Sequence, residues 1–291
     1  MKIIDARIRL PYEFRPPVEG VDLSIYHSQY DQVLNVSENR ERTFEDLKQD
    51  MKKANIEHGI IHAEYEYGDH ADVLNERVAQ LAMKEPDLFS GFGTISMDNL
   101  QPAKANKQLE QVKKFGLLGI NIQPSFFNIP IDHKKLYAVY SKAEELGLIV
   151  AIHTGVNYST AHPLKYEHPL LLDQVACDFP NLIIIACHAS WPWVPEITAL
   201  ARKHPNLYLD FGGLAPKYIG VPGSGWDVLY KFMNNLLSDQ LLFATDWPVF
   251  SMERAVNEWK GLNLKKEALE KILGGNAMQL IKKTKEGLAS R

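Results

Sequence analysis

Six short apolar runs recur along the chain at nearly even spacing, each after a helix-like stretch and a Gly or Pro break, and this recurrence constrains the fold more than any other feature. They occupy residues 88–95, 117–122, 148–153, 182–188, 207–211 and 241–245. Counted from their first residues, the intervals are 29, 31, 34, 25 and 34, close to the ~30 residues of one strand-helix unit. Continuous apolar runs of this length read as strands buried on both faces. The segments between them, such as 134–146 and 226–237, mix apolar and charged residues in helical fashion, so the alternation predicts a parallel sheet. Residues 2–9 and 59–65 supply two further strands, making eight. Eight strand-helix units close into a (β/α)8 barrel of ~250 residues. The 291 residues therefore read as one TIM-barrel domain over 1–291 with modest insertions.

The main insertion is early. Residues 10–42 carry Pro11, Tyr12, Phe14, Pro16, Tyr26 and Tyr30 before Thr43-Phe44-Glu45-Asp46 opens a helix as a variant capping box. This long loop follows the first strand, at the barrel end where active sites lie, and is read as a lid or substrate wall. Composition narrows the partners. Thirty-two Lys+Arg against thirty-six Asp+Glu give a net charge of −4, so no basic field exists to hold nucleic acid. No apolar run approaches the ~20 residues of a membrane span. Two cysteines, Cys177 and Cys187, make no disulfide framework and favour the cytoplasm. Nothing in the motifs asks for an organic cofactor, and the oligomeric state stays open, a homo-oligomer included.

Three polar residues close apolar strands: His153, His188 and Asp246. In a barrel these ends converge on one mouth. Two imidazoles and a carboxylate can hold a divalent metal such as zinc, or serve as acid, base and orienting partner without one. In the first strand, period-two alternation places Ile4, Ala6 and Ile8 on one face and Asp5, Arg7 and Arg9 on the other. With the apolar face on the helices, the charged face points inward. Asp5 is expected to neutralise one arginine, and the other to meet an anionic substrate group. Glu64, Glu66, Gln123 and Asp210 are weaker candidates at strand ends. Trp191, Trp193 and Trp247 are candidate aromatic walls. Cys187 is set aside as a nucleophile because alternation puts it opposite His188.

These residues resemble the amidohydrolase superfamily, in the amidohydrolase-related (amidohydrolase 2) branch that includes aminocarboxymuconate semialdehyde decarboxylase and a pyrone dicarboxylate lactonase. The resemblance runs nearly end to end. It rests on Ile4-Asp5, Ile152-His153-Thr154-Gly155, Cys187-His188-Ala189, Ala244-Thr245-Asp246-Trp247-Pro248 and Gly274-Gly275-Asn276-Ala277. It implies a distorted barrel and small, often carboxylated substrates that are hydrolysed, hydrated or decarboxylated. One departure stands out. The family's metal-binding Asp-x-His-x-His reads Asp5-Ala6-Arg7-Ile8-Arg9 here, and arginine offers no lone pair to a metal. The leading expectation is a hydrolase in which Arg7 and Arg9 bind a small anionic, aromatic or lactone-like substrate, Asp246 activates water, and His153 or His188 moves a proton. The alternatives are a non-oxidative decarboxylase using the same groups and a non-catalytic carboxylate-binding barrel.

Overall fold

The structure, a computed structural model, describes residues 2–16, 24–34, 36–39, 41–64 and 71–289; Glu66 lies outside them. Eight parallel strands follow one another in sheet order: β1 (Ile3–Arg9), β2 (Ile56–His62), β3 (Phe89–Gly93), β4 (Gly119–Ile122), β5 (Ile149–His153), β6 (Ile184–Cys187), β7 (Leu207–Asp210) and β8 (Leu241–Leu242). The expected barrel is thus observed. Closure runs through the residues after β8. Ala6 N donates to Phe243 O at 2.9 Å, Asp246 N to Arg7 O at 2.9 Å and Arg9 N to Trp247 O at 2.8 Å.

Alternation divides the apolar strand residues into two sets. Ile60, Phe92, Leu118, Ile149, Ala151, Ile185 and Leu242 form a cluster inside the barrel, with Ala277, Leu280 and Ile281 of α11 (Asn276–Ala289) packed on it. Ile61, Ile120, Val150, Ile152, Leu209 and Phe243 pack outward on the helices. Asn276 fastens the entry to α11, its Nδ2 donating to Ser238 O and Leu241 O at 2.8 Å each.

The first strand departs from simple alternation. Ile4 and Ala6 join the interior cluster and Ile8 the helix-side one. Between Asp5 and Ile8 the register against β2 slips, Asp5 pairing with Gly59 and Ile8 with Ile61. One extra residue in β1 reverses side-chain parity, as a bulge does. Arg7 and Arg9 therefore reach the interior, but Asp5 does not share their face. Its carboxylate accepts from Thr245 N and Arg7 N and from the Thr245 hydroxyl. The expected pairing of Asp5 with an arginine side chain is corrected: Asp5 ties β1 to the segment after β8.

Local signals account for the helices that frame the mouth. Thr43 caps α2 (Phe44–Ala54) in a complete capping box with Asp46. His133 Nδ1 accepts from Lys135 N at the start of α5 (Lys134–Leu146), and Gly147 ends it with φ 67°. The helix expected over 226–237 is shorter, α8 (Asp227–Met233). From the insertion, α1 (Ser24–Leu34) reaches the loop after β5. Gln29 exchanges hydrogen bonds with Thr160, and the Tyr30 hydroxyl donates to Asn157 Oδ1 at 3.1 Å. No helix among the described residues is long and apolar enough to cross a membrane.

Candidate active site

Strand ends β1, β5 and β6 and the segment after β8 bring Arg7, Arg9, His153, His188 and Asp246 to one mouth. Its centre is ionic. Arg7 is fully buried and donates from Nε to Asp246 Oδ1 (3.1 Å), from Nη2 to Glu64 Oε1 (2.9 Å) and from Nη1 to Asn121 Oδ1 (3.1 Å). Arg9, nearer the rim and 24% exposed, grips both Asp246 oxygens at 3.0 and 2.8 Å and pairs with Glu64 Oε2 at 3.0 Å. Bidentate Arg-carboxylate pairs of this kind are strong and directional. Burial alone would raise the Asp246 pKa, but Arg9 and then Arg7 outweigh it and hold this carboxyl below its ordinary range. It is ionised at any working pH, with its basicity suppressed.

The histidines are each pinned by one ring nitrogen. His153 Nδ1 lies 3.0 Å from Glu167 Oε2, and that carboxylate also accepts from Ser125 Oγ (2.7 Å) and Asn157 N (2.8 Å). His188 Nδ1 donates to Gly212 O at 2.7 Å, since a carbonyl can only accept. The ring centroids are 4.8 Å apart, edge to face. Burial, then His153 and Arg7, push the His188 pKa down to about 4, so it is neutral at pH 7 with a lone pair on Nε2. His188 reaches the mouth only because its backbone turns left-handed, φ 57°; Asp246 has the same φ. Such conformations cost of order 1–3 kcal/mol in a non-glycine residue and gather at functional sites. Asp210 holds the His188 turn, Oδ1 accepting from His188 N (3.1 Å) and Gly212 N (3.0 Å).

Several expectations are revised. Trp247 points away from the mouth: it is 1% exposed, packs with the helix-side core and donates from Nε1 to Asp50 Oδ2 at 3.0 Å. It follows Asp246 by one residue, so alternation sends it outward. Trp191 packs partly buried against the same outer core, and Trp193 lies against His168. The aromatic wall is instead Phe126, edge-on to His153 at 5.8 Å and stacked with Tyr30 at 6.4 Å. Cys187, not its neighbour, carries the inward parity, with Sγ 3.2 Å from Arg7 Nη1. It remains no nucleophile, because burial raises its pKa well above the ordinary thiol value. Glu167 was missed. It stands in an irregular loop with no periodicity to mark it, and only the fold carries it to His153.

The residues do not fit a divalent ion. Both oxygens of Asp246 already accept from guanidinium groups. A unit charge ~5 Å from a divalent cation costs roughly 7 kcal/mol at an effective dielectric of ~20. Among the described residues, the trio whose ligand atoms lie within 4.8 Å of one another is Asp173, Cys177 and His204, on the helical shell, rather than His153, His188 and Asp246.

Comparison with known proteins agrees with this architecture. A family model described as Amidohydrolase (Amidohydro_2) matches residues 27–283. The chain belongs to this amidohydrolase family. It is 24% identical over 243 residues to 2-amino-3-carboxymuconate-6-semialdehyde decarboxylase of Dictyostelium discoideum, covering 73% of this chain but 66% of that protein. Among solved structures, the TIM-barrel protein Bb4693 from Bordetella bronchiseptica is 28% identical, with TM-score 0.78 over 98% of this chain and 99% of that one. A dihydroxybenzoic acid decarboxylase from Polaromonas sp. JS666, solved with bound manganese, shares the fold at 18% identity and TM-score 0.70, covering 97% of each chain.

Proposed function

We propose that this amidohydrolase-family barrel is a non-oxidative decarboxylase of a small aromatic or unsaturated carboxylate, working by histidine acid-base chemistry. The observation that carries the reading is the imidazole pair. His153 and His188 each spend Nδ1 on an acceptor, which leaves both Nε2 atoms for chemistry on rings that stand edge to face. Decarboxylation needs a proton delivered to carbon. A proton carried on Nε2 of His153, whose Nδ1 faces Glu167, passes to the substrate carbon; the C–C bond breaks, its electron pair forms the new C–H bond, and carbon dioxide leaves. Neutral His188 orients the substrate by accepting a hydrogen bond. Arg9, at the rim, draws the anionic substrate by charge, while Arg7 holds Asp246. With its basicity suppressed, Asp246 orients rather than acts as the base expected from sequence. Decarboxylases among the relatives support this choice over the hydrolase reading.

Hydrolysis stands as the second reading, favoured by one observation: neutral His188 offers a lone pair that can take a proton from water. The two separate on a panel of aromatic acids, unsaturated acids and lactones in deuterated water. Carbon dioxide release with one solvent deuteron placed on carbon, lost in His153→Gln, is the expected result. Acid released from a lactone without carbon dioxide would assign hydrolysis. Binding without turnover across the panel would leave a carboxylate-binding barrel.

A further inference from the structure

A substrate carboxylate needs hydrogen-bond donors, and the guanidinium groups of Arg7 and Arg9 already donate to Asp246 and Glu64. We infer that Asn157, in the loop between β5 and α6 (Leu171–Asp178), is an oxyanion-binding residue of this site, its Nδ2 taking a carboxylate oxygen of the ligand. The inference deepens the reading of the mouth as a site for small carboxylates and rests on it.

Chemistry fixes how the Asn157 amide is turned. The backbone N–H of Ser159 can only donate, and it lies 2.8 Å from Oδ1; the Tyr30 hydroxyl donates to the same oxygen at 3.1 Å. The nitrogen is therefore the other branch of the amide. It is buried, on a residue 5% exposed, and has no hydrogen-bond partner. A buried donor left unpaired is costly, and an oxygen acceptor supplied by a ligand removes that cost. Two other buried mouth atoms are also unpartnered, Gln123 Oε1 and Asp210 Oδ2, but both are oxygens and repel a carboxylate.

Position supports the same role. The Asn157 backbone N–H donates to Glu167 Oε1, and Glu167 Oε2 faces His153 Nδ1. One carboxylate thus joins the oxyanion donor to the proton donor. Tyr30, carried by the insertion after β1, holds the oxygen of Asn157 while its ring stacks on Phe126 beside His153. The insertion therefore orients the anion-reading amide as well as walling the mouth.

The test compares wild type with Asn157→Asp and Asn157→Ser, using benzoate, crotonate and fumarate as anionic probes and benzamide as the neutral one. Affinity is read by calorimetry or ligand-detected NMR at pH 7, with melting temperature as the fold check. Asp retains the acceptor for Tyr30 and Ser159 but places an oxygen where the donor stood; Ser is the second variant should Asp fail to fold. The expected result is a loss of about tenfold or more for whichever carboxylate binds wild type best, the worth of one hydrogen bond to a charged group, with benzamide affinity little changed. Folded variants that bind the carboxylate like wild type overturn the inference alone, as does an equal loss for benzamide. A wild type that binds none of the carboxylates overturns the reading of the site, and the inference with it.

Discussion

Arg7 and Arg9 differ in burial, and their substitutions should separate accordingly. Arg7→Met removes the fully buried cation that pairs with Asp246 and Glu64 and leaves only Arg9, at the rim, to serve both, so stability should fall by about 3 kcal/mol in urea unfolding. Arg9→Met should fold and instead weaken carboxylate binding by about one decade, with Arg9→Lys recovering part, because lysine keeps the charge that draws the anion and loses the planar fork that grips Asp246. Calorimetric titration of both variants checks this. Asp5 makes a pH-dependent contribution of its own. Burial, only partly offset by Thr245 and the Arg7 backbone, raises its pKa to about 7. The folded state then holds a proton that the unfolded state has released between about pH 4 and 7, so stability falls as pH rises through that window. His62 and His188, pushed down to about 3 and about 4, mainly by burial, act oppositely, losing stability as pH falls below about 6.5. Comparing wild type with Asp5→Asn isolates the first effect. Relative to the variant, wild type should lose about 3 kcal/mol between pH 5 and pH 8; parallel curves would assign Asp5 an ordinary pKa.

At the scale of elements, β1 shows what periodicity can and cannot read. Alternation over Ile4, Asp5, Ala6, Arg7, Ile8 and Arg9 correctly sends both arginines inward, but for Asp5, Ile4 and Ala6 it gives the wrong face. The register slip between Asp5 and Ile8 reverses parity part-way, and nothing local in the six residues announces it, because its cause is the pairing with β2 and closure onto the segment after β8. The helix over 134–146 was legible to the residue, since its cap and its stop are encoded within a few positions of its ends. The turn into α11 depends on a close approach: a Cβ on Gly274 would stand 2.0 Å from the Lys2 carbonyl oxygen. Gly274→Ala must therefore push the closing turn away from β1, and a loss of about 3 kcal/mol or more is expected from overpacking against backbone. Chemical denaturation measures it, and a loss under about 1 kcal/mol would show that the turn relaxes freely.

For the whole molecule, charge arrangement governs what the mouth accepts. Two arginines stand among the four carboxylates Glu64, Glu167, Asp210 and Asp246, and both guanidinium groups sit against Asp246, the one carboxylate of the expected metal-ligand set. Protein purified without added metal should hold well below one equivalent by elemental analysis, and chelator should leave the melting temperature unchanged; a stoichiometric ion at His153, His188 and Asp246 would refute the repulsion argument. The barrel and the convergence of five mouth residues were legible in the sequence alone. A strand-helix repeat is a local pattern copied eight times, and the strand ends of a closed barrel can only meet at one place. Only the tertiary structure decided that Glu167 stands behind His153, that Phe126 and not Trp247 walls the mouth, and that Asp246 is neutralised by arginines. Those contacts join residues far apart in the chain, through loops with no periodicity, and their energies depend on burial and on neighbouring charge, which exist only once the chain has closed on itself.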